Sequence, residues 1–513
     1  MNRREFLLSS AGFAGGLSAT LGGLSAARAA GATIDSLLGQ PQPFSRTLLL
    51  EEAKKLAAAA YVEPPQVAER FANLPFEQYR DIRFRNDKYL WATENRGFQA
   101  SLLHTGFIYR QMTDVYLVAD GQARKIAFSR DLFDYPQSVK PPDDKQDLGF
   151  SGFKLRRPGP APDTWTEFVA FQGATFFRAI AQGQMYGLSA RGLAINVGEA
   201  GGEEFPTFEH FWIETPEPNA SSVVVHALLN SRSTTGVYRF TLRPDTFTTI
   251  DVELSLFPRE DLTHVGLGAL TSMFLYDATS RVRFDDFRPA VHGSDGLAVL
   301  TGGGELIWRP LANPKTLQIS AFGDLNPHGF GLLQRHRNFD DFSDLDARYD
   351  LKPSCWVEPI GDWGQGAIEL IEIPSDSEIH DNILCNWRPQ AKLPAGQNFS
   401  ATYRMHWGAG RPITSDLAIA VNTAIGQGSQ QTFRKVVIDF AGTFPAGVEP
   451  KADVSASAGK IQSVVVKANP IAKGFRVSFE LDTKNTTLSE LRAILTDGNK
   501  RLSETWLYRW TAG

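Results

Sequence analysis

The feature that most limits what this chain can become is the strict alternation of apolar and polar residues in short runs. Tyr238, Phe240 and Leu242 alternate with Arg239, Thr241 and Arg243. Ala401, Tyr403, Met405 and Trp407 alternate with Thr402, Arg404 and His406, and Phe475, Val477, Phe479 and Leu481 with Arg476, Ser478, Glu480 and Asp482. Strand side chains point to opposite faces with period two, so each run predicts a half-buried strand with one wet face. Gly and Pro are frequent between the runs, as turns demand. A sheet that is wet on one face must bury the other against a second sheet, so the pattern predicts an all-β fold built from sandwiches. Two helices are expected. Residues 48–60 carry good helix formers and stop before Pro64-Pro65. Residues 487–496 read as a short helix with Thr487 or Ser489 as its cap.

A chain of 513 residues exceeds one ordinary domain. A boundary is expected at Arg388-Pro389-Gln390-Ala391-Lys392-Leu393-Pro394-Ala395-Gly396-Gln397, which is polar and carries two prolines and a glycine. Before it the sequence is dense in aromatics, Arg and Asp; after it come shorter strands with Ser, Thr, Ala and Lys. The expected organisation is a leader at 1–29, a large β-sandwich at 30–388, a linker at 389–397 and a sandwich of immunoglobulin size at 398–513. Gly302-Gly303-Gly304 has no helix pattern behind it and reads as a turn, not a phosphate cradle.

The leader begins Asn2-Arg3-Arg4-Glu5-Phe6-Leu7-Leu8, and a Gly- and Ala-rich apolar run follows. Ala27-Arg28-Ala29 presents small residues where a signal peptidase reads. This is the layout of a cleavable twin-arginine signal, with a short membrane anchor as the alternative. The expected mature chain is soluble, begins near Ala30 and resides in the periplasm. Its mild acidity, a net charge of −5 with both signs interspersed, argues against a nucleic-acid partner and fits a neutral or weakly charged ligand. Cys355 and Cys385 can pair in an oxidising compartment, but their apolar, aromatic flanks favour buried free thiols, and their spacing matches no zinc site. No Gly-x-Ser-x-Gly elbow, no His-Glu-x-x-His motif and no cofactor fingerprint is present, so no metal or organic cofactor is expected.

The segment 326–387 mixes Trp, Tyr, Arg, Asp and Glu with Gly and Pro. Aromatic faces cover the apolar side of a pyranose, and planar charged or amide groups bind its hydroxyls in pairs, so this is the toolkit of a sugar cleft. Arg348, Tyr349, Trp356, Asp362 and Trp363 are the candidate contacts; for each tryptophan the competing reading is core. Glycoside chemistry needs two carboxyl functions. Asp381 lies between a charged loop and the apolar run Ile383-Leu384-Cys385, an edge where partial desolvation suits a general acid. The competing reading is that Asp381-Asn382 caps a turn.

Several longer motifs are more specific: Gly183-Gln184-Met185-Tyr186-Gly187-Leu188-Ser189-Ala190-Arg191-Gly192-Leu193-Ala194-Ile195, Gly202-Glu203-Glu204-Phe205-Pro206, Leu270-Thr271-Ser272-Met273-Phe274-Leu275, Gly329-Phe330-Gly331-Leu332-Leu333-Gln334-Arg335 and Leu502-Ser503-Glu504-Thr505-Trp506. Together they resemble the osmoregulated periplasmic glucan biosynthesis proteins of the G and D types, over essentially the whole expected mature chain. The paired arginines point to the D type. The resemblance implies a large sandwich of the galactose-mutarotase kind joined to an immunoglobulin-like domain. It also implies action on linear β-1,2-glucan with inversion at the anomeric carbon, and the Asp before Asn-Ile, here Asp381, as the general acid.

The chain departs from the pattern at the second carboxylate. Hydrolytic members of the family carry an Asp directly after His; here the stretch reads Arg288-Pro289-Ala290-Val291-His292-Gly293-Ser294-Asp295. Gly293 has no side chain to take a proton, which leaves Asp295 and His292 as base-side or auxiliary candidates. A sound acid without a base for water favours transfer of the glycosyl unit to a sugar hydroxyl, and a hydroxyl of the same chain would give a cyclic glucan. The competing class is a non-catalytic glucan binder or a docking partner of the membrane glucosyltransferase. A homodimer is compatible with either class.

Overall fold

The computed structural model describes residues 33–143 and 145–512, so the expected leader lies outside the described residues. Two compact units emerge, each assembled from two stretches of chain. The first holds 33–269 with Asn386–Gly408, and the second Leu270–Cys385 with 409–512. The segment 389–397 lies within the first unit, where Leu393 and Leu262 exchange backbone hydrogen bonds and Lys392 pairs with Asp261 at 2.5 Å.

In the first unit one sheet runs, in spatial order, Gln42–Pro43, Gln122–Lys125, Asp114–Ala119, Thr207–Glu214, Val223–Asn230, Thr234–Arg243, Thr248–Pro258 and Phe399–Gly408. A second contains Gln99–Leu103, Gly152–Pro158, Trp165–Gln172, Phe176–Ala179, Ser189–Arg191 and Val265–Ser272. Their facing sides meet in an aromatic core. Phe153 and Phe171 stand edge-on to Phe211 at 5.1 and 5.5 Å, and Phe171 and Phe177 do the same to Phe240 at 5.1 and 5.3 Å. The alternation read in the sequence is what points Tyr238, Phe240 and Leu242, and likewise Tyr403, Met405 and Trp407, into buried positions. The helix expected at 48–60 forms at Arg46–Ala57, two residues earlier at its start and three at its end. Ser45 Oγ accepts the Leu48 N–H, and Leu49 and Ala53 bury against Leu228, Val237 and Phe257.

The second unit carries a sheet ordered Ser354–Ile360, Gly329–Leu333, Gly296–Leu300, Leu306–Pro310, Thr505–Thr511, Leu488–Asp497 and Lys451–Ala456. A four-stranded sheet runs Ile419–Gln427, Phe433–Ala441, Gly474–Asp482 and Lys460–Asn469. Val436, Ile438, Phe440, Val477 and Phe479 pack with Trp308, Trp356 and Trp506 in one core. Gly302 and Gly303 make the turn between two strands, as expected.

The helix expected at 487–496 is a strand. Leu488–Asp497 pairs antiparallel with Thr505–Thr511 on one side and Lys451–Ala456 on the other. Leu491, Ala493 and Leu495 point inward, while Glu490 is exposed and Arg492 only partly covered. Leu, Glu, Arg and Ala favour helix in isolation, but two flanking strands and a buried face outweigh a propensity worth a few tenths of a kcal/mol per residue. Cys355 and Cys385 are free thiols, both fully buried.

Candidate active site

Asp381 sits immediately before the strand Ile383–Pro389 and is half-buried, with its Oδ2 withdrawn from solvent. Its position is set by its neighbour. Asn382 is 1 % exposed; its Oδ1 accepts the Phe274 N–H at 2.8 Å, and its Nδ2 donates to the Phe274 and Ile373 carbonyls at 2.9 and 3.0 Å. The Asn382 carbonyl also accepts the Ile373 N–H. The amide thus acts as one residue of an extra strand beside Phe274. On the other side Phe274 pairs with His292, whose ring it stacks on at 5.4 Å, and the Gly293 N–H donates to the Met273 carbonyl. Asp381 and Gly293 therefore lie on either side of Phe274, joined to it through Asn382 and through His292.

Gly293 is not a glycine of backbone necessity. A Cβ built on it meets Ser272 Oγ at 3.4 Å and Met273 O at 3.8 Å, ordinary contact distances. His292 is buried and neutral: burial drives its imidazole down to about 4, and its Nδ1 contacts Gln334 Oε1 at 2.9 Å. Asp295 is 5 % exposed. Its Oδ2 accepts the Arg335 and His336 N–H groups at 2.9 and 3.1 Å and meets His336 Nδ1 at 2.8 Å. Burial pushes Asp295 up, but the His336 hydrogen bond and charge outweigh it and hold the carboxyl below its ordinary value. Burial likewise lowers His336, and Asp295 more than reverses this, raising the imidazole to about 9. Asp295 is thus an anion committed to an imidazolium, with Oδ1 buried and without a donor.

The other expected contacts separate into three places. Tyr349 is buried and donates its hydroxyl to Glu378 Oε2 at 3.1 Å. Glu378 in turn meets Arg288 at 2.7 Å, and Arg288 also grips Asp286 and Asp344 at 2.8 Å each; its hydrogen bonds drive Asp286 down to about 2. Arg348 sits in the left-handed region at φ 45° and pairs with Asp350 at 2.7 Å. Trp356 is 1 % exposed, so the core reading holds for most of its ring; with Asp362, Glu358 and His328 its edge lines a groove of about 610 Å³. Asp362 and Trp363 belong to the turn after Ser354–Ile360, where Asp362 Oδ1 accepts the Gly364 N–H and Asn326 Oδ1 accepts that of Trp363.

Residue-type reasoning had not singled out Arg288, Gln334, His336, Glu378 or Asn382 for these contacts. The available signal was the polar run Gln334-Arg335-His336 directly behind the buried strand Gly329–Leu333. Among the described residues no group of three or more His, Cys, Asp or Glu is placed to hold a metal ion.

A β-rich chain with a half-buried carboxyl just ahead of a strand, and with no group of His, Cys, Asp or Glu placed for a metal among the described residues, defines a class of β-sheet protein but not its task. The comparisons narrow this. The family model for "Periplasmic glucan biosynthesis protein, MdoG" matches residues 44–510, and the chain belongs to that family of periplasmic proteins. It is 47 % identical over 477 residues to "Glucans biosynthesis protein G" of Rhodopseudomonas palustris (strain BisA53), covering 92 % of this chain and 94 % of the relative. It is 44 % identical over 515 residues to the protein of that name from Bradyrhizobium diazoefficiens, covering 100 % of both. Against the Vibrio cholerae protein (El Tor Inaba N16961) the figures are 44 % over 475 residues, 91 % of this chain and 87 % of the relative.

Proposed function

We propose that this periplasmic glucan biosynthesis protein acts on linear β-1,2-glucan by an inverting mechanism, with Asp381 as general acid. The observation that carries the reading is the clamp at Asn382, which fixes Asp381 at the edge of the ladder whose far side is Gly293. In this reading Asp381 protonates the leaving glycosidic oxygen while an acceptor oxygen attacks the opposite face of the anomeric carbon. Gly293 leaves no side chain beside the acceptor to take its proton, and Asp295 is held by His336, so that proton passes to solvent as the new bond forms; a sugar hydroxyl, more acidic than water and held in place by the rest of its glucan, is then the favoured acceptor and transglycosylation or cyclisation the favoured outcome. The galactose-mutarotase-like and immunoglobulin-like character of the sandwiches belongs to the same proposal. So does the D type: Arg3-Arg4 is its support, while the relatives above carry the name G.

The test is mass analysis of products from linear β-1,2-glucan, with wild type beside Asp381→Asn. A cyclic product is lighter than its linear counterpart by one water. Asp381→Asn removes the transferable proton and is expected to abolish turnover while glucan binding persists. Turnover that survives the substitution overturns the assignment. Glucan binding without turnover in the wild type favours the second reading, a binder that docks on the membrane glucosyltransferase.

A further inference from the structure

Asn382 fixes only one end of the loop that carries Asp381. The loop, 374–381, lies between the strands Gln365–Glu372 and Ile383–Pro389. A second buried asparagine fixes its other end. Asn313 Oδ1 accepts the Ser375 N–H at 2.9 Å, and its Nδ2 donates to the Ser375 and Leu275 carbonyls at 2.7 and 3.1 Å. Asn382 grips Phe274 and Asn313 grips Leu275, so both ends of the loop are pinned to consecutive residues of one short strand. Between the pins the loop bonds mostly to itself. Ser375 Oγ donates to the Ser377 carbonyl at 2.8 Å, and Ser377 Oγ accepts the Ile379 N–H at 3.4 Å. Such bonds shape a loop without holding it against its neighbours.

Glu378, midway between the pins, reaches out of the loop. Its Oε2 meets two donors from other parts of the second unit: the Tyr349 hydroxyl at 3.1 Å and Arg288 Nη1 at 2.7 Å. Both donors are themselves immobilised. Arg288 Nε and Nη2 grip Asp286, and Nη1 also donates to Asp344 Oδ2 at 2.8 Å, one hydrogen for each of its two carboxylates. Asp344 Oδ1 accepts the Asp346 and Ala347 N–H groups and so closes the turn that leads to Tyr349. Tyr349 is buried beside Phe342; burial and then the Glu378 charge push its phenol up, so it stays protonated and donates at neutral pH. Of the carboxylates on Arg288, Glu378 is the most exposed and the one carried by the loop. Without it, 376–381 could swing about the pins at Ser375 and Asn382. Asp381 sits at the second hinge, so a swing redirects its side chain while the strand behind it stays in place.

We propose that Glu378 is a positioning residue for the general acid: held between Tyr349 and Arg288, it fixes the 374–381 loop so that the Asp381 carboxyl points at the glycosidic oxygen. The proposal rests on the reading of Asp381 as general acid and adds a residue that acts through it. In the step concerned, the bond from the anomeric carbon to the leaving oxygen breaks and that oxygen takes the Asp381 proton, while the acceptor oxygen bonds to the anomeric carbon and gives its own proton to solvent. A misdirected Asp381 slows the proton transfer without altering how the glucan is held.

The experiment compares two substrates in the full chain as wild type, Glu378→Ala, Glu378→Gln and Asp381→Asn. Linear β-1,2-glucan needs a proton on its leaving oxygen. The 2,4-dinitrophenyl β-glycoside of sophorose, the β-1,2-linked glucose disaccharide, does not, because dinitrophenolate departs as the anion. Glu378→Ala is expected to lower kcat on glucan about 10²-fold, the cost of a misplaced reacting group, with KM within about threefold of wild type. Its rate on the dinitrophenyl glycoside is expected to stay within about threefold. Glu378→Gln keeps the length and a carbonyl acceptor, and is expected to recover about tenfold of the loss on glucan. A residue that only stabilises the fold would slow both substrates alike. That result, or a wild-type rate on glucan in Glu378→Ala, overturns the proposal. Melting curves show that each variant is folded; if Glu378→Ala is not, Glu378→Gln carries the test through the same ratio of rates. If the wild type does not cleave the dinitrophenyl glycoside, the split between kcat and KM and the recovery in Glu378→Gln decide. An Asp381→Asn chain that still processes glucan overturns the general-acid reading and this proposal with it. An inactive Asp381→Asn beside an unimpaired Glu378→Ala refutes the positioning role alone.

Discussion

Replacing Asn382 by Ala tests the clamp directly. The substitution removes three side-chain hydrogen bonds and leaves the Phe274 N–H, the Phe274 carbonyl and the Ile373 carbonyl without those partners. A buried hydrogen bond contributes about 1 kcal/mol net, and each orphaned group costs ~1–3 kcal/mol unless water reaches it. With water entering the small space left by the amide, a loss of about 3–4 kcal/mol is expected in the second unit. Urea unfolding reports the total, and exchange of the Phe274 amide reports the local part, tenfold faster for each ~1.4 kcal/mol lost. Asn382→Asp is the sharper companion. It keeps the shape and the acceptor for Phe274, cannot donate while ionised, and places a buried anion beside Asp381. Its defect is expected to shrink as pH falls and the carboxyl protonates. If Asn382→Ala costs less than about 1 kcal/mol and leaves Phe274 protected, the clamp does not hold Asp381 in place.

The pair His336–Asp295 predicts a pH signature. His336 is raised to about 9, so its stabilisation is complete below the unfolded value near 6.5 and is lost between there and about 9. Asp295 is lowered, so its contribution is present above about 4 and fades in acid. His336→Gln is therefore expected to flatten the decline in melting temperature between about pH 6.5 and 9; an unchanged slope counts against the pairing. His292, driven down to about 4, works in the opposite sense and removes stability as pH falls from about 6.5 towards 4, a limb that His292→Gln should erase. Glu504 is fully buried, grips Arg335 at 2.6 and 3.0 Å and accepts the Ala420 N–H at 2.8 Å. Glu504→Gln is expected to cost about 3–5 kcal/mol in urea unfolding by leaving a buried guanidinium unpaired. Gly293→Asp is expected to fold, because its Cβ has room, and to raise release of reducing ends from β-1,2-glucan by about 10²-fold or more. A folded variant with unchanged hydrolysis removes the missing base as the reason for transfer.

What was legible in the sequence was legible because it is local. Alternation exposed the strands Thr234–Arg243, Phe399–Gly408 and Gly474–Asp482, and the run of helix formers at 48–60 exposed the helix that the structure bounds at Arg46–Ala57. Residues 487–496 failed for the same reason: their composition is helical, and the two strands that override it come from 451–456 and 505–511. The site shows the same limit. Asp381 cannot be told from a turn cap by residue type, because the bonds that set its place join Asn382 to a residue 108 positions earlier. His336 and Gln334 acquire roles only once Asp295 and His292 are folded against them, some forty residues away in sequence. The tryptophans divided by burial: Trp356 and Trp387 are core, while Trp363 lies part-exposed in a turn.

The two cysteines carry a consequence for the protein's passage through its compartment. Burial pushes both thiols up, so almost no thiolate exists at neutral pH, and the thiolate is the species that attacks a disulfide. Once folded, the chain is kinetically invisible to periplasmic thiol oxidants. Unfolded, it presents two ordinary thiols to the same chemistry. The order of events then decides the yield. Folding before exposure to oxidant seals the sulfurs, whereas threading the chain through unfolded opens a race between burial and mixed-disulfide formation. A chain with this arrangement gains from arriving already folded.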